Sequence, residues 1–315
     1  MSYDQAEKEK RSAALSSVIA AVGLTSFKII VGILTNSLGI LAEAAHSALD
    51  LAAAVMTYFA VRMSGKPADQ VHQFGHGKIE NLSALFETVL LLLTSAWIIY
   101  EAVQRLFFKS VYVEASIWSF IVMATSIVID YTRSRILYRA ARKYNSQALE
   151  ADALHFSTDI WSSAVVILGL IGVTIAENIP SLGWMHKADA IAASIVALIV
   201  IYVSAQLGWR TIQALLDAAP RGLAEKVEQA ATAVAGVVDA HAVRIRPSGA
   251  LWFVDLHVTM DGLCTLDATH AATEAIEKAI QANIPKADVI VHVEPVEASI
   301  SKPQPLRYKG RRNTK

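Results

Sequence analysis

Two pairs of residues with helical spacing carry the strongest chemistry in this chain: His46-Ser-Ala-Leu-Asp50 and His155-Phe-Ser-Thr-Asp159. A spacing of four puts each His and Asp on one helix face, one turn apart. Both pairs lie in long apolar runs, where a charge at a bilayer centre costs roughly 2.5–3.5 kcal/mol on insertion scales. Groups held at such a cost are functional candidates. If the two faces meet, two imidazole nitrogens and two carboxylate oxygens converge. That set suits a tetrahedral divalent transition metal, zinc being the simplest, and two carboxylates balance the dication's charge. Polar glue between helices is the competing reading of one pair alone. A second identical pair at matching depth favours the metal.

Two further groups have ligand chemistry. Asp69, His72 and His76 fall within eight residues in Pro67-Ala-Asp69-Gln-Val-His72-Gln-Phe-Gly75-His76-Gly77-Lys78. Glycines on both sides of His76 permit tight turns and close approach to an ion. Near the C-terminus come His241, His257, His270, His292 and Glu294. His292 and Glu294 are two apart on an alternating segment, so they share one strand face. These five can close on one or two metals. His186 belongs to no cluster and reads as incidental.

The elements that must position these groups are membrane helices. A span needs about 20 largely apolar residues. Six stretches qualify: about Ala13–Leu34, Leu38–Met63, Leu82–Phe107, Ile117–Leu137, Ala148–Ile175 and Ala188–Leu216. The opening MSYDQAEKEKR mixes charges of both signs and leads into too long an apolar run for a signal peptide. Lys8, Lys10, Arg11, Arg62, Lys66, Lys78, Arg133, Arg135, Arg139, Arg142 and Lys143 collect on one side of the spans, against Lys109 and Lys187 on the other. The positive-inside bias therefore puts both termini in the cytoplasm. Further charges fall within the spans. Asp152 accompanies the second pair and Glu43 the first. Lys28 is expected to pair with a carboxylate or snorkel. Glu101, Asp130 and Asp189 are expected near the interfaces, and Glu87 has no evident partner.

Residues from about Pro220 to Ala298 read as a small soluble domain. AEKVEQAATAVAGV is helical, and DAHAVRIRP and ALWFVDLHVTM alternate as strands about a Pro-Ser-Gly turn. DATHAATEAIEKAIQANI is helical, with Asp267 as the expected N-cap, and ADVIVHVEP is a last strand. The expected fold is an α-helical membrane protein of six transmembrane helices plus a C-terminal α+β domain of order αββαβ. The divisions are 1–12 (cytoplasmic segment), 13–217 (membrane domain), 218–298 (metal-binding and dimerisation domain) and 299–315 (basic disordered tail).

Composition removes other classes. The chain has 315 residues, with 28 Lys+Arg against 28 Asp+Glu, 54% hydrophobic and 18% charged residues, and mean hydropathy +0.41. Soluble domains carry about 25% charged residues. Zero net charge argues against a nucleic-acid binder. The single Cys264 rules out a disulfide framework and a Cys-rich zinc finger.

The motifs SLGILAEAAHSALD, KPADQVHQFGHGK, EADALHFSTD and the AH…DLH…VIVHVEP series resemble those of the cation diffusion facilitators, which are divalent metal/proton antiporters. The likeness is greatest to the bacterial zinc- and iron-efflux branch and extends from about Leu15 to Glu297. The resemblance implies a homodimer in a bacterial inner membrane, with a cytoplasmic domain of metallochaperone-like fold. It implies a transport site of His46, Asp50, His155 and Asp159, a loop site of Asp69, His72 and His76, and a two-metal cytoplasmic cluster of His241, His257, His270, His292 and Glu294. Metal bound to that cluster would tighten the dimer and favour transport. Close bacterial relatives often carry Asp where His46 stands, Glu294 replaces a common Asp, and Val293 stands where a polar ligand can occur. Lys78 and Asp217 match an ion pair of the family.

The expected partners are divalent metal ions, protons, the lipid bilayer and a second copy, with Zn²⁺ both transported and structural. Cd²⁺, Co²⁺ and Fe²⁺ are further candidates. Two neutral His make the empty site less negative than an all-carboxylate one, which favours nitrogen-seeking metals over Mn²⁺. An intramembrane metallohydrolase would need an open metal position and a general base. The chain has no HExxH, and four protein ligands close the site, so no enzyme is expected. A membrane metal sensor that binds without transport is the other alternative, but it has no use for a mid-membrane site.

Overall fold

The computed structural model describes residues 3–107, 117–178 and 185–296. Lys109, the tail from 299 to 315 and the side chains of His186, Lys187 and Asp189 lie outside the described residues. Six long helices come first: α1 (Tyr3–Thr35), α2 (Leu38–Ser64), α3 (Lys78–Phe107), α4 (Ile117–Tyr144), α5 (Gln147–Asn178) and α6 (Met185–Leu215). At 1.5 Å per residue each exceeds the roughly 30 Å of a hydrocarbon core. Among the described residues four segments are both long and apolar enough to cross a membrane: Gln5–Thr35, Ile40–Ser64, Lys78–Gln104 and Ser194–Leu215. The other two have the length but more charge. The last turns of α4 carry Arg133, Arg135, Arg139, Arg142 and Lys143, and α5 carries Glu150, Asp152 and Asp159.

Large apolar side chains such as Ile33, Leu34, Leu93, Trp97, Leu198 and Ile199 point outward. An outward apolar face suits lipid, which offers backbone groups no hydrogen bonds and leaves them to the helices. The inner faces are small: Ala14, Ala21, Ala54, Ala84, Ala151 and Ala153 are buried. Small residues let helix backbones approach closely. The most extensive packing is α1 on α2, α3 on α6 and α4 on α5. The first helix starts at Tyr3, ten residues ahead of the apolar run. Those residues stay helical because Lys10, though buried, meets Glu7 at 2.6 Å and Glu80 at 2.8 Å.

The smaller unit begins at Asp217. It holds α7 (Leu223–Thr232), β1 (Val237–Ser248), β2 (Leu251–Met260), α8 (Leu266–Asn283) and β3 (Ala287–Pro295), in the expected αββαβ order. The sheet order is β1-β2-β3, with β2 and β3 parallel and His257 beside His292. One sheet face packs Ala240, Ile245, Val254, Leu256, Val258 and Val289 against Val227 and Ala231 of α7 and Ile276 and Ile280 of α8. The period of two then turns the alternate residues to the other face. Thr265, in extended conformation, caps α8 by accepting from the Ala268 amide. This corrects the assignment to Asp267, which sits in the helix's first turn, where its charge favours the helix dipole.

Candidate metal centres

Helices α2 and α5 bring the first set together. Ser37 caps α2 by accepting from the Ile40 amide, which fixes the start of the helix that carries His46 and Asp50. His155 Nε2 lies 3.1 Å from Asp50 Oδ1 and 3.6 Å from Asp159 Oδ2. Asp50, His155 and Asp159 each offer one ligand atom within 4.8 Å of the others. His46 stands outside this trio, with Nε2 3.9 Å from Asp50 Oδ1 and half of its side chain exposed. Among the described residues His155 Nδ1 is buried without a hydrogen-bond partner, so the ring's polar contacts run through Nε2. Three close oxygen and nitrogen donors on two helices, with a fourth one turn away, match the donor set of a small dication.

A polar lattice surrounds this trio. Lys28 on α1 reaches Glu43 at 3.3 Å and donates to Ser47 at 2.8 Å, the pairing expected of it. Asp130 is buried within the helices. It accepts from Arg133 at 3.1 Å, and this compensation permits its burial. Arg133 also donates to Ser17, and Ser17 donates to Asp152. The Arg133 guanidinium lies 3.4 Å from the Phe156 ring centroid. Glu87 is fully buried and accepts from the Thr57 hydroxyl. Glu80 accepts from Lys10, Ser64 and Ser146, so one carboxylate joins α1, α2, α3 and the segment before α5. Helical periodicity places such residues on a face but does not say which helix that face meets.

The loop group also converges. The Asp69 carboxylate accepts from the amides of His72 and Val71, and these two bonds hold its pKa below the ordinary 3.8. Its oxygens lie 3.4 Å from His72 Nδ1 and 3.3 Å from His76 Nε2. Gly75 closes the turn with φ +75, a conformation that glycine adopts without strain. His76 is the most sheltered of the three, and its Nδ1 is buried.

The tail group sits on the sheet face opposite α7 and α8. His257 Nδ1 is 2.8 Å from Glu294 Oε1, His241 Nε2 is 3.5 Å from Glu294 Oε2, and His292 Nε2 is 3.7 Å from Glu294 Oε1. The His257 hydrogen bond, first, and the neighbouring imidazoles hold Glu294 below the ordinary 4.5. His270 does not join this group within one chain. It is exposed on α8, on the far side of the sheet, with Glu274 at 3.6 Å. Asp239, which the sequence did not single out, approaches His241 Nδ1 at 3.3 Å.

His241 owes its place to an irregularity in β1. Ala240 and Ile245 both reach the core although they are five residues apart, which strict alternation forbids. Ala242 has φ 54 and takes up the extra residue, as a bulge does.

Two family models match the two units of the chain. Residues 14–216 match the family described as the cation efflux transmembrane domain, and residues 219–296 match the cation efflux protein cytoplasmic domain. The chain is 31% identical over 290 residues to the cation-efflux pump FieF of Yersinia enterocolitica, covering 90% of this chain and 92% of that one. To FieF of Cronobacter sakazakii it is 31% identical over 298 residues, covering 94% and 95%. A solved structure of CzrB in its zinc form aligns with 25% of this chain and 91% of its own, at 21% identity and TM-score 0.24. Both family domains lie end to end along the chain in the order its two units show, and the chain belongs to the cation diffusion facilitator family of cation-efflux membrane transporters.

Proposed function

We propose that this protein exports a divalent transition metal, Zn²⁺ first, in exchange for protons, through a site made by His46, Asp50, His155 and Asp159. The convergence of Asp50, His155 and Asp159 between α2 and α5 carries this reading. With its aspartates ionised and its histidines neutral, the site binds a dication from the cytoplasmic side. Facing a more acidic side, the same lone pairs take protons and release the metal. An ordinary His titrates near 6.5, within reach of physiological gradients. Two imidazoles beside two carboxylates favour zinc over manganese. The tail cluster supports a second role, in which metal held by His241, His257, His292 and Glu294 strengthens a homodimer. The termini are assigned to the cytoplasm of a bacterial cell, on the bias of Lys and Arg.

The test is zinc uptake into proteoliposomes with and without a pH gradient, for the wild type, Asp50→Ala and Asp159→Ala. Gradient-dependent uptake reduced at least ten-fold in both variants is the expected result. Unchanged uptake in both overturns the site. Transport of manganese or iron in place of zinc overturns the reading of His46.

A further inference from the structure

Helix α4 carries an exposed stripe, Tyr131, Arg135, Tyr138 and Arg142, at helical spacings of four, three and four. Each arginine lies back on the tyrosine that precedes it. Arg135 donates to the Tyr131 hydroxyl at 3.1 Å, and Arg142 to the Tyr138 hydroxyl at 2.6 Å, with its guanidinium 4.5 Å from that ring. Beside the stripe a groove of about 620 Å³ opens between α4, α5 and α6. Its polarity changes along the helix axes. Glu150 and Arg210 line one end, near where α6 finishes and α5 begins; Arg135 stands about one turn further in, next to Ser134, which donates to the Ala153 carbonyl; and Trp161 and Val203 lie beyond it. From Glu150 to Trp161 is eleven helical residues, about 16 Å.

We propose that this groove binds an anionic phospholipid, its phosphate held by Arg135 and Arg210 and an acyl chain lying along Leu154, Trp161 and Val203. Arginine matches phosphate with a planar fork of donors, and the hydrogen bond to the Tyr131 hydroxyl orients the fork of Arg135. A basic pocket between membrane helices, on the side where Lys and Arg collect, fits such a headgroup. Among the described residues the only acid lining the groove is Glu150, which meets Arg210 at 2.8 Å and so competes with the phosphate. The charge along the groove therefore favours a lipid anion over a second copy of this chain. On α5 the groove is lined by Glu150, Ala153, Leu154, Ser157 and Trp161, and helical periodicity puts His155 and Asp159 on the opposite face, so the lipid site is separate from the proposed metal path.

Native mass spectrometry of the full chain in mixed micelles tests the site, with phosphatidylglycerol and phosphatidylcholine offered in equal amounts. Wild type is expected to retain phosphatidylglycerol preferentially. Arg135→Gln with Arg210→Gln is expected to weaken that retention about thirty-fold, at roughly 1 kcal/mol per arginine. Glu150→Gln is expected to tighten it, a gain that misfolding does not produce. Equal retention of the two lipids by wild type, or unchanged retention by the double variant, overturns the proposal. Unchanged or weaker binding in Glu150→Gln does so too. Loss of dimer mass in the double variant with lipid retention intact assigns the groove to a second copy and also overturns it. The readout is binding, so it stands or falls separately from transport.

Discussion

The exposed clusters and the buried one have opposite compositions. Around Asp69 stand His72 and His76, and around Glu294 stand His241, His257 and His292, one carboxylate to several imidazoles. Between α2 and α5 the closest set is one imidazole, His155, to two carboxylates. A dication buried away from water needs countercharge, whereas one held in water does not. Asp159→Asn, which keeps shape and removes charge, is therefore expected to lower zinc transport at least ten-fold. Asp69→Asn is expected to change it less than three-fold in the same flux assay. Asp69 also has a pH signature. Its pKa is lowered, so its contribution to loop order is complete above about pH 3.8 and is lost as pH falls through the lowered value. Exchange of the Val71 and His72 amides is expected to accelerate beyond its intrinsic trend only below that point, and Asp69→Asn abolishes the step.

At the scale of elements, periodicity made the helices, the strands and most ligand faces legible. His-x-x-x-Asp fixes a helix face, and His292-Val-Glu294 fixes a strand face, whatever surrounds them. Two things were not legible. One is partner identity across helices: nothing in the spacing of Lys10, Ser64, Glu80 and Ser146 says that they meet. The other is the slip in β1, because a non-glycine residue with positive φ has no composition signal at Ala242. Both have measurable consequences. Glu80→Ala leaves Lys10 buried with Glu7 alone and removes three hydrogen bonds, so a loss of about 3–5 kcal/mol is expected in denaturant unfolding of the detergent-solubilised protein. Ala242→Gly relieves a left-handed conformation that costs an alanine roughly 1–2 kcal/mol, so slower hydrogen exchange in β1 and β2 is expected.

For the whole molecule, the family assignment and the order of its two units were both readable in the sequence, because each unit brings its own ligand pattern. The position of His270 was not, since α8 takes it to the sheet face away from Glu294. Any metal it shares with that cluster must then lie between two chains. His257→Ala is expected to weaken metal binding by the tail cluster at least ten-fold. His270→Ala is expected to leave that binding within three-fold while reducing metal-promoted dimer formation in analytical ultracentrifugation.

The Glu80 junction has a mechanical consequence. It pins the beginning of α1, the end of α2, the beginning of α3 and the entry to α5 at one level. Asp50 lies fourteen helical residues from Ser64, and Asp159 thirteen from Ser146, so both proposed ligands ride on arms of about 20 Å from a shared fulcrum. A tilt of about 10° between α2 and α5 about that point carries their ligand atoms about 3.5 Å apart, given an arm of that length. Such a rigid rotation would open the proposed metal site with neither helix unwinding and no residue changing its place in the chain.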